Sequence, residues 1–310
     1  MQIVDIDNTT VDGDIPRHAG HGAPKIWPEG ADPTPILEWV KNGRDPKKVP
    51  AGGSFYTRTT TFIDALDDKK NIYDWKTRMT IEGFRRDPSL MTRYEEIEDP
   101  MGGEKWRVNK LAEEARIIAD SDVRAQEGNA LHELTEAWHN TGKLPPYPPE
   151  YEEDIDSYIL ATAGMDMLGV EVFVVNDDLK YAGTADRFIR VYDELAEALG
   201  VEDGAIVVGD LKTGGSVKWA RGKFPMQMAA YAKAKRYDPL TFKRTLTFPE
   251  LDDKVGLLIH TPVGEGETTL YRMDLERGWQ DVLLADEVRK YRKFWNAKAS
   301  EFPIVRHVTV

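Results

Sequence analysis

Asp210 and Lys212 stand two residues apart in GDLKTGG (209–215), directly after the apolar run AIVV. In a strand, residues i and i+2 project from one face. A carboxylate and an ammonium side by side at the end of a buried strand suit metal-assisted hydrolysis. The acid holds a hard cation such as Mg2+ through oxygen, and the lysine orients a water and stabilises charge developing at a phosphate. D-x-K alone is common, and a strand-end salt bridge is its plainer reading. In YAGTADRF (181–188), Gly183 permits a close approach or a bulge, and Asp186 sits among Phe188, Ile189 and Val191. An acid there needs a partner. Arg187 or Arg190 is the plain choice. The functional choice is the cation that Asp210 holds, because two acids from neighbouring strands make a Mg2+ or Mn2+ site.

Two helical segments carry further polar groups. EGNALHELTEAWH (127–139) puts His132 and Glu136 on one helix face, with Gly128 one turn before His132 to let the helix approach another backbone closely. HELTE is not the zinc-protease pattern, because position 136 is Glu and not His. A lone helical His is more often a core or capping residue than a ligand. In FPMQMAAYAKAKR (224–236), Gln227 and Tyr231 share a face in the same way. Taken alone, that segment reads as an amphipathic helix with a solvated polar edge.

These residues need strands and helices to hold them. Residues 1–53 are dense in Pro and Gly and read as a loop-rich extension packed on the domain, with only 36–43 as a short helix. From Tyr56 to about Ala137 the pattern is helical: a start at Thr59–Leu66, a helix near Tyr73–Phe84, and a long helix over Lys110–Trp138 broken near Ser121–Asp122. KLPPYPPE (143–150) ends it. After a helix at 151–165, the segments 170–177, 181–193 and 205–214 read as strands, with a short helix at 194–200. A helix over 224–237, strands over 254–262 and 268–275, and a last helix over 276–298 complete the chain. The order predicts an α+β mixed sheet flanked by helices.

Composition sets bounds. The chain has 310 residues, 41% hydrophobic and 31% charged, a globular balance. There are no cysteines, which excludes disulfides, Cys-held zinc, thiolate nucleophiles and iron–sulfur clusters. No apolar run approaches the roughly 20 residues of a membrane helix. The acidic N-terminus is not expected to be a signal peptide, so a cytoplasmic location is expected. The net charge of −13, from 41 Lys+Arg against 54 Asp+Glu, argues against nucleic acid. The distribution argues the other way. Between Leu211 and Tyr237 stand Lys212, Lys218, Arg221, Lys223, Lys233, Lys235 and Arg236, with no Asp or Glu. Such a strip binds phosphates even on an acidic protein. Trp219 and Phe224 interleave with it, as stacking platforms for a base or, more commonly, as packing anchors.

Taken together the motifs run G-x-x-x-H on a helix, G-x-x-D on a strand, D-x-K on the next strand and Q-x-x-x-Y on the following helix. In this order they resemble the RecB-type branch of the PD-(D/E)XK nuclease superfamily, which includes CRISPR-associated RecB-like exonucleases and many phage exonucleases. The resemblance covers about 55–265, and residues 56–78 are similar to the lead-in helices of that branch. It implies a restriction-endonuclease-like αβββαβ core over 110–265 within a single domain at 55–310, after an extension at 1–54. It implies His132, Asp186 and Asp210 as metal ligands with the Leu211 carbonyl, Glu171 as an additional acid, Lys212 as the catalytic lysine, and Gln227 and Tyr231 as contacts to the DNA backbone. Lys218, Trp219, Arg221, Lys223 and Lys233 are the further candidates for DNA contact. The implied cofactor is one or two Mg2+ or Mn2+ ions, and the implied substrate is DNA, as single- or double-stranded ends. Many relatives hold an iron–sulfur cluster through four cysteines, which this chain cannot do. G-x-x-x-x-G-K-[ST] is also absent, so any unwinding falls to a helicase partner. The expected activity is an exonuclease of recombination, repair or phage DNA processing, in a bacterial or phage-infected cell. A single-strand annealing protein is a candidate partner, and a homo-oligomer stays open. The alternatives are a site- or structure-specific endonuclease, a non-catalytic DNA-binding relative, and a protease built on HELTE.

Overall fold

The computed structural model describes residues 15–18, 22–220 and 222–298. Strand β1 (Lys25–Ile26) pairs antiparallel with β2 (Ser54–Phe55), and helix α1 (Thr34–Lys41) lies between them in sequence. Ile26, Trp27, Ile36 and Trp39 of this region pack with Phe173, Tyr237 and Phe242 of the main body. The Trp27 amide donates to the Tyr237 hydroxyl at 3.1 Å.

Next come β3 (Thr57–Arg58) and α2 (Thr59–Ile63), then α3 (Lys70–Arg86), α4 (Ser89–Glu95), α5 (Lys105–Ile118) and α6 (Val123–Thr141). The long helix foreseen over Lys110–Trp138 is α5 and α6, parted where foreseen. Asp120 takes a left-handed turn (φ 60), and Arg86 of α3 donates to the freed Ile118 carbonyl at 3.0 Å. Helix α4 had not been foreseen. Gly83 is required where α3 crosses α5, since a Cβ there would lie 1.8 Å from the Ala115 carbonyl oxygen.

The rest of the chain contains α7 (Glu152–Ala161), β4 (Asp166–Asn176), β5 (Tyr181–Arg190), α8 (Asp193–Leu199), β6 (Ile206–Lys212), α9 (Lys223–Ala232), β7 (Lys235–Tyr237), β8 (Arg244–Thr245), β9 (Leu251–His260), β10 (Thr269–Asp274) and α10 (Leu275–Lys298). The helix expected over 224–237 stops at Ala232. Lys235 and Arg236 pair instead with Val175 and Val174 of β4, and the Asn176 amide donates to the Lys233 carbonyl at 3.1 Å. Sheet hydrogen bonds thereby win over helix propensity at a helix end whose carbonyls need partners anyway.

The main sheet has eight strands in the order β10-β9-β6-β5-β4-β7-β8, with β3 added beside β5. β6 and β9 run parallel because α9 carries the crossover, while β4, β5 and β6 form antiparallel pairs. This is the α+β mixed sheet that the sequence predicted. Alternation along β6 sorts its side chains. Ile206 and Val208 pack under α9, α10 and α2, whereas Val207 and Leu211 face Tyr158, Ala196 and Leu199 of α7 and α8.

Between α6 and α7, His139 Nε2 lies 2.8 Å from the Tyr158 hydroxyl. Burial, with Arg187 nearby, holds the His139 pKa down to about 3. The unfolded chain therefore takes up this proton first as pH falls below about 6.5, and folding stability declines down to about 3. At pH 5 the loss is about 2 kcal/mol. Melting curves at pH 7 and pH 5 are expected to show a smaller acid shift in His139→Gln, which does not titrate, than in the wild type.

Candidate active site

Asp210 and Lys212 continue the row of Ile206 and Val208 on the α9 side of the sheet. Asp210 thus occupies a position where the core pattern calls for an aliphatic side chain, and it is only 1% exposed. Lys212 Nζ lies 2.5 Å from Asp210 Oδ2. Among the described residues, Oδ2 accepts no hydrogen bond beyond this ion pair. Gln227 of α9 donates from Nε2 to Asp210 Oδ1 at 3.1 Å and approaches the Tyr231 hydroxyl at 3.4 Å. Burial pushes the Asp210 carboxyl up to about 7; the Lys212 ammonium opposes this and the Asp186 charge adds to it. Burial alone would depress the Lys212 ammonium, but Asp210 and Asp186 outweigh it and raise its pKa.

Asp186 reaches the same place from β5. The pairing Arg187↔Gly209, carried one step on, sets Asp186 opposite Asp210. Asp186 Oδ2 accepts from the Leu211 amide at 3.2 Å. On its other side, β4 pairs Val170 with Arg187 and Val172 with Ala185, so Glu171 stands opposite Asp186. Glu171 has φ 53, a left-handed conformation in mid-strand that costs on the order of 1–3 kcal/mol. Ala185 and Phe188 belong to one apolar cluster although three residues apart, so the strand's alternation slips at Asp186–Arg187. Three acids of adjacent strands thus share one row, at the point where the ladder is distorted. Distortions of this kind concentrate beside active sites.

Helix α6 brings His132. Gly128 lets it close on the loop after Lys212, since a Cβ there would meet Thr213 Oγ1 at 2.5 Å. Burial lowers the His132 pKa; Asp186 works against this, while Arg187 and Lys212 add to it, and the Leu211 backbone is a hydrogen-bond partner. The ring is therefore neutral at physiological pH, the form that ligates metals. Gly183 performs the same service on β5, where a Cβ would strike Thr59 Oγ1 at 2.6 Å and crowd Tyr231.

The residues brought together are His132, Asp186, Asp210, Leu211, Lys212, Gln227 and Tyr231, with Glu171 at the end of the row. The DNA-contact candidates are placed differently. Lys223 is bound to Asp64 at 2.8 Å and Asp67 at 3.1 Å, and Lys233 is paired with Asp253. Acids distant in sequence therefore neutralise part of the basic strip. Lys218 is exposed beside the site. Arg221 and the side chain of Trp219 lie outside the described residues. Gln227 and Tyr231 are buried and turned toward Asp210, so they position the acid from behind.

Arg187 is the residue whose importance the sequence reading missed. It is fully buried. Its guanidinium donates to the Asp186 carbonyl at 2.8 Å and to Thr135 Oγ1 of α6 at 3.1 Å, and lies 3.8 Å from Glu171. It ties the helix of His132 to the strand of Asp186. An Arg inside an apolar strand was the available signal.

Among the described residues, no three His, Cys, Asp or Glu side chains form a preassembled metal cluster. Lys212 instead stands against Asp210 as an internal cation. The donor set still fits a hard divalent ion: a buried carboxylate oxygen held only by the mobile Lys212 ammonium, a second carboxylate, a neutral imidazole and the Leu211 carbonyl. Protons compete with such an ion for Asp210. The apparent Mg2+ affinity is expected to weaken about tenfold per pH unit below about 7. Thermal-shift titrations with Mg2+ at pH 6 and pH 8 read this directly; equal midpoints would rule it out.

Compared with known proteins, the chain matches no family model and no curated protein sequence. Among the described residues no helix is long and apolar enough to cross a membrane.

Proposed function

We propose that this chain is a metal-dependent nuclease that hydrolyses phosphodiester bonds in DNA, acting as an exonuclease. The observation that carries the reading is the buried Asp210, its Oδ2 held by the Lys212 ammonium, facing Asp186 across the sheet. A buried carboxylate raised toward neutral pH, next to a specific charge partner and beside a cleft, marks a functional-site candidate. The order of motifs that resembles the RecB-type branch supports the same assignment.

Asp186 and Asp210 would hold Mg2+ or Mn2+ with His132 and the Leu211 carbonyl. When bound, the ion supplies Lewis acidity toward water and the scissile phosphate. Gln227 keeps Asp210 in orientation through Oδ1. Lys212 carries its ammonium at the mouth of the site, 3.4 Å from the Leu211 carbonyl, where it orients the attacking water and stabilises phosphate charge. The distorted row at Glu171–Asp186 holds carboxylates together whose mutual repulsion a cation relieves.

End-labelled single- and double-stranded DNA, incubated with Mg2+, Mn2+ or EDTA, tests the reading. Wild type is expected to shorten linear DNA from its ends with either ion, and to leave circular DNA intact. Asp210→Ala is expected to be inactive. Metal-independent cleavage, or none with any DNA, would remove the proposal; cutting of circles would replace exonuclease by endonuclease.

A further inference from the structure

Beside the catalytic pair the same sheet face opens into a cavity of about 460 Å3. Phe224, Leu258, His260, Tyr271 and Met273 line it, with Lys218 at the rim. The sheet register fixes its relation to the site: Asp210 pairs with Leu258, and Leu258 pairs with Tyr271. One row therefore runs from the carboxylate through the cavity floor to the tyrosine. Neighbouring strands are about 4.8 Å apart, so Tyr271 stands about 10 Å from Asp210. Phe224 joins the two regions, for its ring lies 5.5 Å from Lys212 Nζ while its edge forms the cavity wall.

The cavity is built to persist. His260 Nε2 lies 2.7 Å from the Gly214 carbonyl, which pins the loop that closes one side. The His260 and Tyr271 rings are 6.3 Å apart, and Phe224 comes from a different element, α9. Tyr271 remains 37% exposed, so a ring face is open to a ligand. The volume accommodates a planar group of nucleobase size.

We propose that this cavity is a nucleobase subsite, holding the unpaired base of the nucleotide next to the scissile phosphate. This deepens the nuclease reading and rests on it for the identity of the ligand. Tyr271 supplies the stacking surface, which accepts any base because every base has a π face, and the edge of Phe224 closes the side of the cavity. Lys218 meets the adjoining phosphate. The substrate class is therefore a single-stranded or frayed end.

The test uses the full chain, wild type and Tyr271→Ala, with short single-stranded oligonucleotides carrying 2-aminopurine at successive positions from one end. Binding is followed by fluorescence in EDTA and again in Ca2+, and cleavage by gel in Mg2+. Wild type is expected to quench the probe at a restricted set of positions. Tyr271→Ala is expected to lose that quenching and to bind about tenfold more weakly, raising KM with little change in kcat. Tyr271→Trp is expected to restore both. Absence of position-dependent quenching in either condition, or quenching and affinity unchanged in Tyr271→Ala, overturns the subsite. Quenching without any cleavage leaves the subsite standing and removes the nuclease reading. Cleavage with quenching indifferent to Tyr271 does the reverse.

Discussion

Asp210→Asn is expected to lose DNA cleavage by about 10^3-fold or more while melting at a higher temperature than the wild type at pH 8. The first half follows from losing the anionic oxygen that would anchor the divalent ion. The second follows from the cost of keeping that oxygen. Asp210 is 1% exposed, and burial pushes its carboxyl up to about 7. A raised carboxyl pKa favours the protonated folded state. Its contribution is fully present below the unfolded value of about 4 and is lost as pH rises through about 7. At pH 8 the wild type therefore bears the whole penalty. Asn is isosteric, keeps an oxygen for Gln227 and carries no charge to desolvate. Lys212, 27% exposed, can turn its ammonium outward. A gain of about 1–2 kcal/mol, or a few degrees, is expected at pH 8 and should vanish at pH 4.5. The Mg2+-dependent thermal shift should disappear with it. Lys212→Ala makes the contrast: equally inactive, yet less stable, because it leaves the Asp210 carboxylate buried without its cation. Calorimetry on the three proteins reads both signs, and an Asp210→Asn protein that melts lower at pH 8 would contradict the account.

How much of this was legible follows from what each residue's neighbours in sequence reveal. Asp210 and Lys212 stood out because they interrupt an apolar strand at period two, and the α+β order followed from the same alternation. Gly128 was recognisable as a point of close approach, though the group it admits is the side chain of Thr213. The tail of α9 was misread because the competition lies elsewhere in the chain: β4 captures Lys235–Tyr237. The pairing of Lys223 and Lys233 within the basic strip was hidden for a similar reason, since Asp64, Asp67 and Asp253 come from distant segments. The row Glu171–Asp186–Asp210 depends on strand register and on a distortion that no local pattern encodes. Local periodicity thus reports what a residue does within its own element. Partner choice between elements needs the fold.

Arg187 is where that second kind of information has the largest consequence for stability. Arg187→Ala is expected to lower stability by about 3–5 kcal/mol, since it opens a cavity under the sheet and strips partners from Thr135 and Glu171. Differential scanning calorimetry should show a fall of about 10 °C. The same variant is expected to weaken Mg2+ binding even where it is fully folded, because Arg187 holds α6 against β5 and so sets His132 relative to Asp186. Arg187→Met separates the two effects. It refills most of the volume with an unbranched apolar chain, and the wild-type Nε has no hydrogen-bond partner to lose. Its thermal stability is therefore expected to recover most of the deficit. The tie to Thr135 is not restored, so metal affinity should stay low. A methionine variant that recovers both properties would reduce Arg187 to a space-filling residue, whereas recovery of stability alone assigns it the positioning of the metal site.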